Sequence, residues 1–179
     1  MLLTKPYDAE RAVAYARRWA LDRNPLFVDF TGQGGNCTNF VSQCVLAGSC
    51  VMNYTPTFGW YYISSTDRAP SWTGVEFFYN FMTGNDDVGP FMREVRRRDV
   101  RPGDVIQLAN ADGDFYHTLM VTGIERQTIL VSAHSDDALD RRLSTYNYSS
   151  LRYLHVEGVR IFIEDDDCFD DLIEGISIT

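Results

Sequence analysis

The chain has 179 residues, the length of one ordinary domain. A hydrophobic share of 45% and a charged share of 23% exclude a disordered or low-complexity chain, which buries too little apolar surface to fold. Sixteen Lys and Arg stand against 25 Asp and Glu, a formal net charge of −9, so neither nucleic acid nor an anionic membrane is an expected partner: both are held by positive charge.

The acidity is uneven. Glu164, Asp165, Asp166, Asp167, Asp170, Asp171 and Glu174 supply seven of the negative charges and leave the rest nearly neutral, so the expected organisation is a domain over residues 1–163 and an acidic tail over 164–179. The opening segment MLLTKPYDAER has no apolar core of a signal peptide, and no run of about 18 apolar residues occurs, so no membrane span is expected and the expected setting is cytoplasmic. Cys37, Cys44, Cys50 and Cys168 form no short Cys-x-x-Cys pair and read as reduced thiols.

In chain order, Tyr7 to Asn24 reads as a first helix with Asp8 as N-cap, ended by Asn24-Pro25. Phe30 to Asn36 is a glycine-rich connector, and a second helix runs from about Thr38 to Ala47 with Gly48 as its stop. The segment from Cys50 to Thr83 is aromatic, with a third helix expected over Trp72 to Met82. After the turn signal Arg101-Pro102-Gly103-Asp104, strands are expected at Val105–Leu108, Phe115–Thr122, Thr128–Ala133 and Val156–Ile163. Helices first and strands second predict an α+β domain with an antiparallel sheet. The tail is expected to be either a short helix around Phe169–Ile173 or disordered.

Cys37 sits where the connector meets the second helix. A thiol there faces the free N–H groups and the positive end of the helix dipole, which favour the thiolate; the bland alternative is a small buried hydrophobe. A nucleophilic cysteine needs a base, and the histidines are His117, His134 and His155. His117 and His134 lie on neighbouring strands, and each is either a catalytic candidate or a satisfied half-buried side chain. His155 reads as structural. Trp60, Tyr61, Tyr62 and Trp72 either line a cleft or fill the space between helix and sheet. A metal site from Cys37, His117 and His134 is disfavoured, since these residues have no short-spaced ligand pair.

Five ordered motifs, Asn36–Ser49 (NCTNFVSQCVLAGS), Ser71–Val75, Gly103–Gln107, Tyr116–Val121 and Ala133–Asp137, together resemble the bacterial putative amidase domain family, over roughly Tyr7 to Ile163. That family resembles papain-like cysteine hydrolases of the NlpC/P60 and CHAP type. The resemblance implies a papain-like fold, with N-terminal helices packed on a C-terminal antiparallel sheet. It implies hydrolysis of an amide bond without a cofactor, through Cys37 as nucleophile, His117 as base and His134 orienting the base, on peptide or amide substrates such as peptidoglycan-derived peptides. The alternatives on the same fold are an acyltransferase and an inactive peptide-binding module. Gln33, Asn36 and Trp72 are candidate substrate or oxyanion contacts. The family commonly carries Asp where this chain has Asn36.

Overall fold

The structure is a computed structural model and describes residues 1–162 and 168–177. Strand β1 (Leu3–Lys5) leads into helix α1 (Ala9–Trp19). Asp8 caps that helix by accepting a hydrogen bond from the Arg11 amide at 3.1 Å, as a short acidic side chain does for an orphan N–H. The helix buries Ala12, Val13, Tyr15, Ala16 and Trp19 and ends five residues before the expected Asn24. Helix α2 (Cys37–Ser49) follows, and every one of its residues is buried, the signature of a central helix rather than an amphipathic surface one.

Gly48 does not end α2. The helix runs on to Ser49, and Cys50 takes the left-handed cap conformation at φ 53°. Gly48 serves close packing instead: a Cβ there would lie 2.4 Å from the Tyr7 ring and 2.7 Å from the Asp8 carbonyl. Strands β2 (Tyr62–Ser64) and β3 (Asp67–Arg68) form a small hairpin. The expected third helix is two: α3 (Pro70–Thr73) and α4 (Val75–Gly84), broken where Gly74 adopts an extended conformation.

The main sheet comprises β1, β4 (Gly89–Val95), β5 (Val105–Ala109), β6 (Phe115–Glu125), β7 (Thr128–Ala133), β8 (Ala138–Arg142) and β9 (Ser150–Ile161), all antiparallel, in the order β1-β9-β5-β6-β7-β8 with β4 beside β9. β4 runs along one edge of β9, from Val95 opposite Tyr153 to Gly89 opposite Arg160. β5 and β1 share the other edge, at Ser150–Leu154 and Val159–Ile161. The architecture is thus α+β with an antiparallel sheet, as expected. The strict order of helices before strands fails at β1 and at the β2–β3 hairpin, and β4, not among the expected strands, satisfies one edge of long β9. The expected strand at Val156–Ile163 begins earlier, at Ser150, and residue 163 lies outside the described residues.

Alternation along the strands covers both sheet faces. Val105, Met120 and Leu154 face the helices and join Tyr15, Phe40, Trp60 and Trp72 in the larger core. Ile106, Leu108, Leu119, Val121 and Val131 form a second core under Leu143.

Of the acidic tail, residues 164–167, 178 and 179 lie outside the described residues. Helix α5 (Phe169–Glu174) is folded onto the body. Its Leu172 is fully buried, its Leu172 carbonyl accepts from Asn24 Nδ2 at 3.0 Å, and its Ile173 carbonyl accepts from Trp19 Nε1 at 2.9 Å. This docking corrects the expectation of four reduced thiols. Cys168 is brought against the end of α2 and forms a disulfide with Cys50, whereas Cys37 and Cys44 remain free. A pair 118 residues apart carries no spacing signal; only the docked helix brings it together. Among the described residues, no helix is long and apolar enough to cross a membrane.

Candidate active site

Cys37 is the first residue of α2. The connector before it turns through Gly34 and Gly35 at φ +98° and +99°, a conformation that side chains disfavour, and this leaves bare backbone on the wall of a cavity of about 400 Å³. Cys37, 8% exposed, lines the same cavity, and so does His117 near the start of β6. A larger cleft of about 480 Å³ on another face, beside Phe58, Phe77 and Asn80, has neither cysteine nor histidine in its wall and so offers no nucleophile.

The two cavity residues are held in register through their neighbours. Thr38, next to Cys37, and Thr118, next to His117, are fully buried, and their hydroxyls meet at 2.8 Å. Thr118 Oγ1 also accepts from Gln107 Nε2 at 3.3 Å, which fixes this contact to β5. Burial drives the pKa of His117 down to about 4, helped by the positive charge of Arg141 and opposed by the negative charge of Asp136. The imidazole is therefore neutral at physiological pH, with a ring nitrogen free to accept a proton.

His134 follows β7 and is 1% exposed. Its ring stacks on Phe40, with centroids 4.1 Å apart. The Asn36 side chain donates to Nδ1 at 2.7 Å, and Asn36 Oδ1 accepts from the Phe30 amide and from Asn39 Nδ2, at 3.0 and 2.8 Å. Those two donors fix the amide orientation of Asn36, so Nδ1 of His134 is the acceptor and Nε2 carries the proton, which it donates to the Trp19 carbonyl at 2.8 Å. Burial lowers the pKa of His134, and the Arg23 guanidinium adds to this.

Both nitrogens of His134 are thus engaged, and the orienting bond to His117 expected from the sequence is not among its contacts. What His134 touches is Asn36, the residue before Cys37. Asn36 is further held by its own amide, which donates to Ser135 Oγ at 3.1 Å.

The other candidate contacts fall elsewhere. Gln33 is exposed on the connector and is not part of the cavity wall. Trp72 is fully buried, stacked on Phe27 with centroids 5.8 Å apart, and donates through Nε1 to Asn39 Oδ1 at 2.9 Å; it holds the first turn of α2 from within the core. His155 donates to Asp104 at 2.9 Å, remote from the cavity wall. The sequence reading missed Arg141 and Tyr146, which line the cavity. The His117 and Tyr146 rings are 6.0 Å apart between centroids, and burial raises the pKa of Tyr146 while the adjacent Arg141 lowers it. Among the described residues no group of three His, Cys, Asp or Glu side chains is arranged to hold a metal.

Comparison with known proteins places this geometry in context. The family described as "Putative amidase domain" matches residues 6–156. A protein of Bacillus subtilis (strain 168) named "Uncharacterized protein YhbB" is 32% identical over 155 residues, which are 82% of this chain and 49% of that protein. The chain therefore spans about half the length of that relative. No solved structure gives a significant match.

Proposed function

The chain belongs to the family described as "Putative amidase domain", and from that premise we propose that it is a cysteine-dependent amide hydrolase in which Cys37 attacks the substrate carbonyl and His117 moves the protons. The observation that carries this reading is the joint presence, in one cavity wall, of a free cysteine at a helix N-terminus and a histidine held neutral. A neutral imidazole enters the reaction as a proton acceptor. His117 takes the thiol proton as the carbon–sulfur bond forms, then gives it to the departing amine, leaving a thioester that water, deprotonated by the same imidazole, hydrolyses.

The Cys37 backbone N–H, unpartnered at the start of a helix, is the natural donor to the developing oxyanion. His134 is a positioning residue. It acts on the nucleophile's side through Asn36 rather than on the base, and so departs from the papain-like triad suggested by the resemblance. Peptides from the bacterial cell wall are the substrate class that the resemblance favours.

The test is turnover of a panel of peptide and isopeptide amides. Cys37→Ala and His117→Ala abolish it on this reading, and His134→Ala lowers it by a smaller factor. Full activity in Cys37→Ala would rule the reading out.

A further inference from the structure

We propose that the substrate of this site carries a carboxylate beside the bond that is cut, and that Arg141 receives it. The proposal rests on the acyl-transfer reading above and adds the chemical class of the substrate. Arg141, on β8, reaches the cavity that holds Cys37 and His117. Its guanidinium lies 3.9 Å from the centroid of the Tyr146 ring, while Nε donates to Thr145 Oγ1 at 2.8 Å and Nη2 to the Thr145 carbonyl at 3.0 Å.

These three contacts fix the plane of the group and leave Nη1 uncommitted. None of them supplies a counter-charge. Arg17, Arg23, Arg93 and Arg152 each meet a carboxylate, but Arg141 has no ion pair among the described residues, and the acid that lines its cavity, Asp136, is not within ion-pairing distance. In a chain of net charge −9, a guanidinium held rigid and without an anion in the wall of a reactive cavity is suited to a ligand's carboxylate: its ordering cost is already met and its planar fork matches two oxygens.

A second observation points the same way. Burial raises the pKa of the Tyr146 hydroxyl while the charge of Arg141 and its hydrogen bond lower it, so the stacked pair of Arg141 and Tyr146 acts as one unit of the cavity wall. With His117 neutral, Arg141 is the cation of this cavity wall.

The experiment compares two alkylating reagents of nearly equal size, iodoacetate and iodoacetamide, on Cys37 of the intact protein, with rates read by peptide mass spectrometry. The ratio of the two rates, divided by the same ratio for free N-acetylcysteine, cancels changes in thiol reactivity. We expect wild-type protein to favour iodoacetate by about 10- to 100-fold on this scale, as a charge-assisted hydrogen bond allows. Arg141→Gln brings the normalised ratio to about one, Arg141→Lys keeps part of the preference, and added salt weakens it. A wild-type ratio near one, or a preference that survives Arg141→Gln, overturns the proposal; if the glutamine variant does not fold, the wild-type ratio and the lysine variant decide. Should Cys37 react with neither reagent, the acyl-transfer reading fails instead. The carboxylate site is then judged by calorimetry: binding of N-acetylalanine but not of its primary amide, N-acetylalaninamide, supports it, and equal or absent binding of the two overturns it.

Discussion

The hydroxyls of Thr38 and Thr118 meet at 2.8 Å in the protein interior, joining the residue after Cys37 to the residue after His117. This buried hydrogen bond links helix and sheet at the site, beside the apolar packing of Phe40, Val41 and Cys44 with Val105 and Met120. Replacing Thr118 with Val keeps the shape but strands the Thr38 hydroxyl, and a lost partner in a buried site costs about 1–3 kcal/mol. Thr118→Val should therefore lower the denaturation midpoint and also kcat/KM. Thr38→Val with Thr118→Val removes both polar groups and should recover part of the stability but not the rate, as a double-mutant cycle would show.

The two free thiols should differ sharply. Cys44 is fully buried, and burial pushes its thiol well above the usual range, while Cys37 lies on a cavity wall at a helix start. In native protein iodoacetamide should label Cys37 and leave Cys44 untouched; equal rates in the folded state would contradict the assignment of the nucleophile.

Reduction should loosen the C-terminal helix. The Cys50–Cys168 disulfide closes a span of 118 residues, and loss of such a link costs about 2–5 kcal/mol. Cys50→Ser with Cys168→Ser should melt at lower temperature than the oxidised wild type and be insensitive to reductant. A reductant-dependent melting point in the double variant would show that the link lies elsewhere.

How much of this was legible in the sequence depends on the range of the interactions. The glycine-rich turn before Cys37 and the alternation of His117 with Leu119 are local, so the placement of Cys37 at a helix start and of His117 on a strand could be read from neighbouring residues. The role of His134 could not, because its partner is the Trp19 carbonyl at the end of α1, a backbone group with no sequence signature, and because the choice of Asn36 over Asp decides which ring nitrogen is protonated. Tyr146 reaches the cavity because the chain after β8 returns to β6, where Tyr116 Oη donates to the Asn147 carbonyl, and Arg141, on β8, reaches it stacked on the Tyr146 ring. Trp72, which the sequence allowed either in a cleft or between helix and sheet, is part of the core: it is 0% exposed and donates to Asn39 Oδ1.

The Asn36 network gives a further expectation. With Asn36→Asp, the amide donor to His134 Nδ1 becomes a carboxylate, which favours a proton on that nitrogen. The pKa of His134 should then rise from its lowered value, as ring-proton NMR titration can follow, and an unchanged titration would mean that the contact at 2.7 Å is not the one that sets the tautomer.

The depressed pKa of His117 fixes the sign of two pH effects. The unfolded chain binds a proton at about pH 6.5 and the folded chain only near 4, so this group's contribution to stability is intact above about 6.5 and is lost as the pH falls toward 4. For the same reason the acid limb of kcat/KM should lie near pH 4 rather than between 6 and 7. Asp136→Asn should move it lower and Arg141→Gln higher, since the first removes a charge that favours protonation and the second one that opposes it. A limb that stays near 6.5 in all three proteins would assign the titrating base elsewhere.

The most direct test of the central claim is a rapid-quench mass measurement after mixing the protein with an activated ester such as p-nitrophenyl acetate. The account predicts an acetyl group on the Cys37 peptide within the first turnover, formed far more slowly in His117→Ala and absent in Cys37→Ala. An acyl group on another residue, or formation on Cys37 at the same rate without His117, would contradict it.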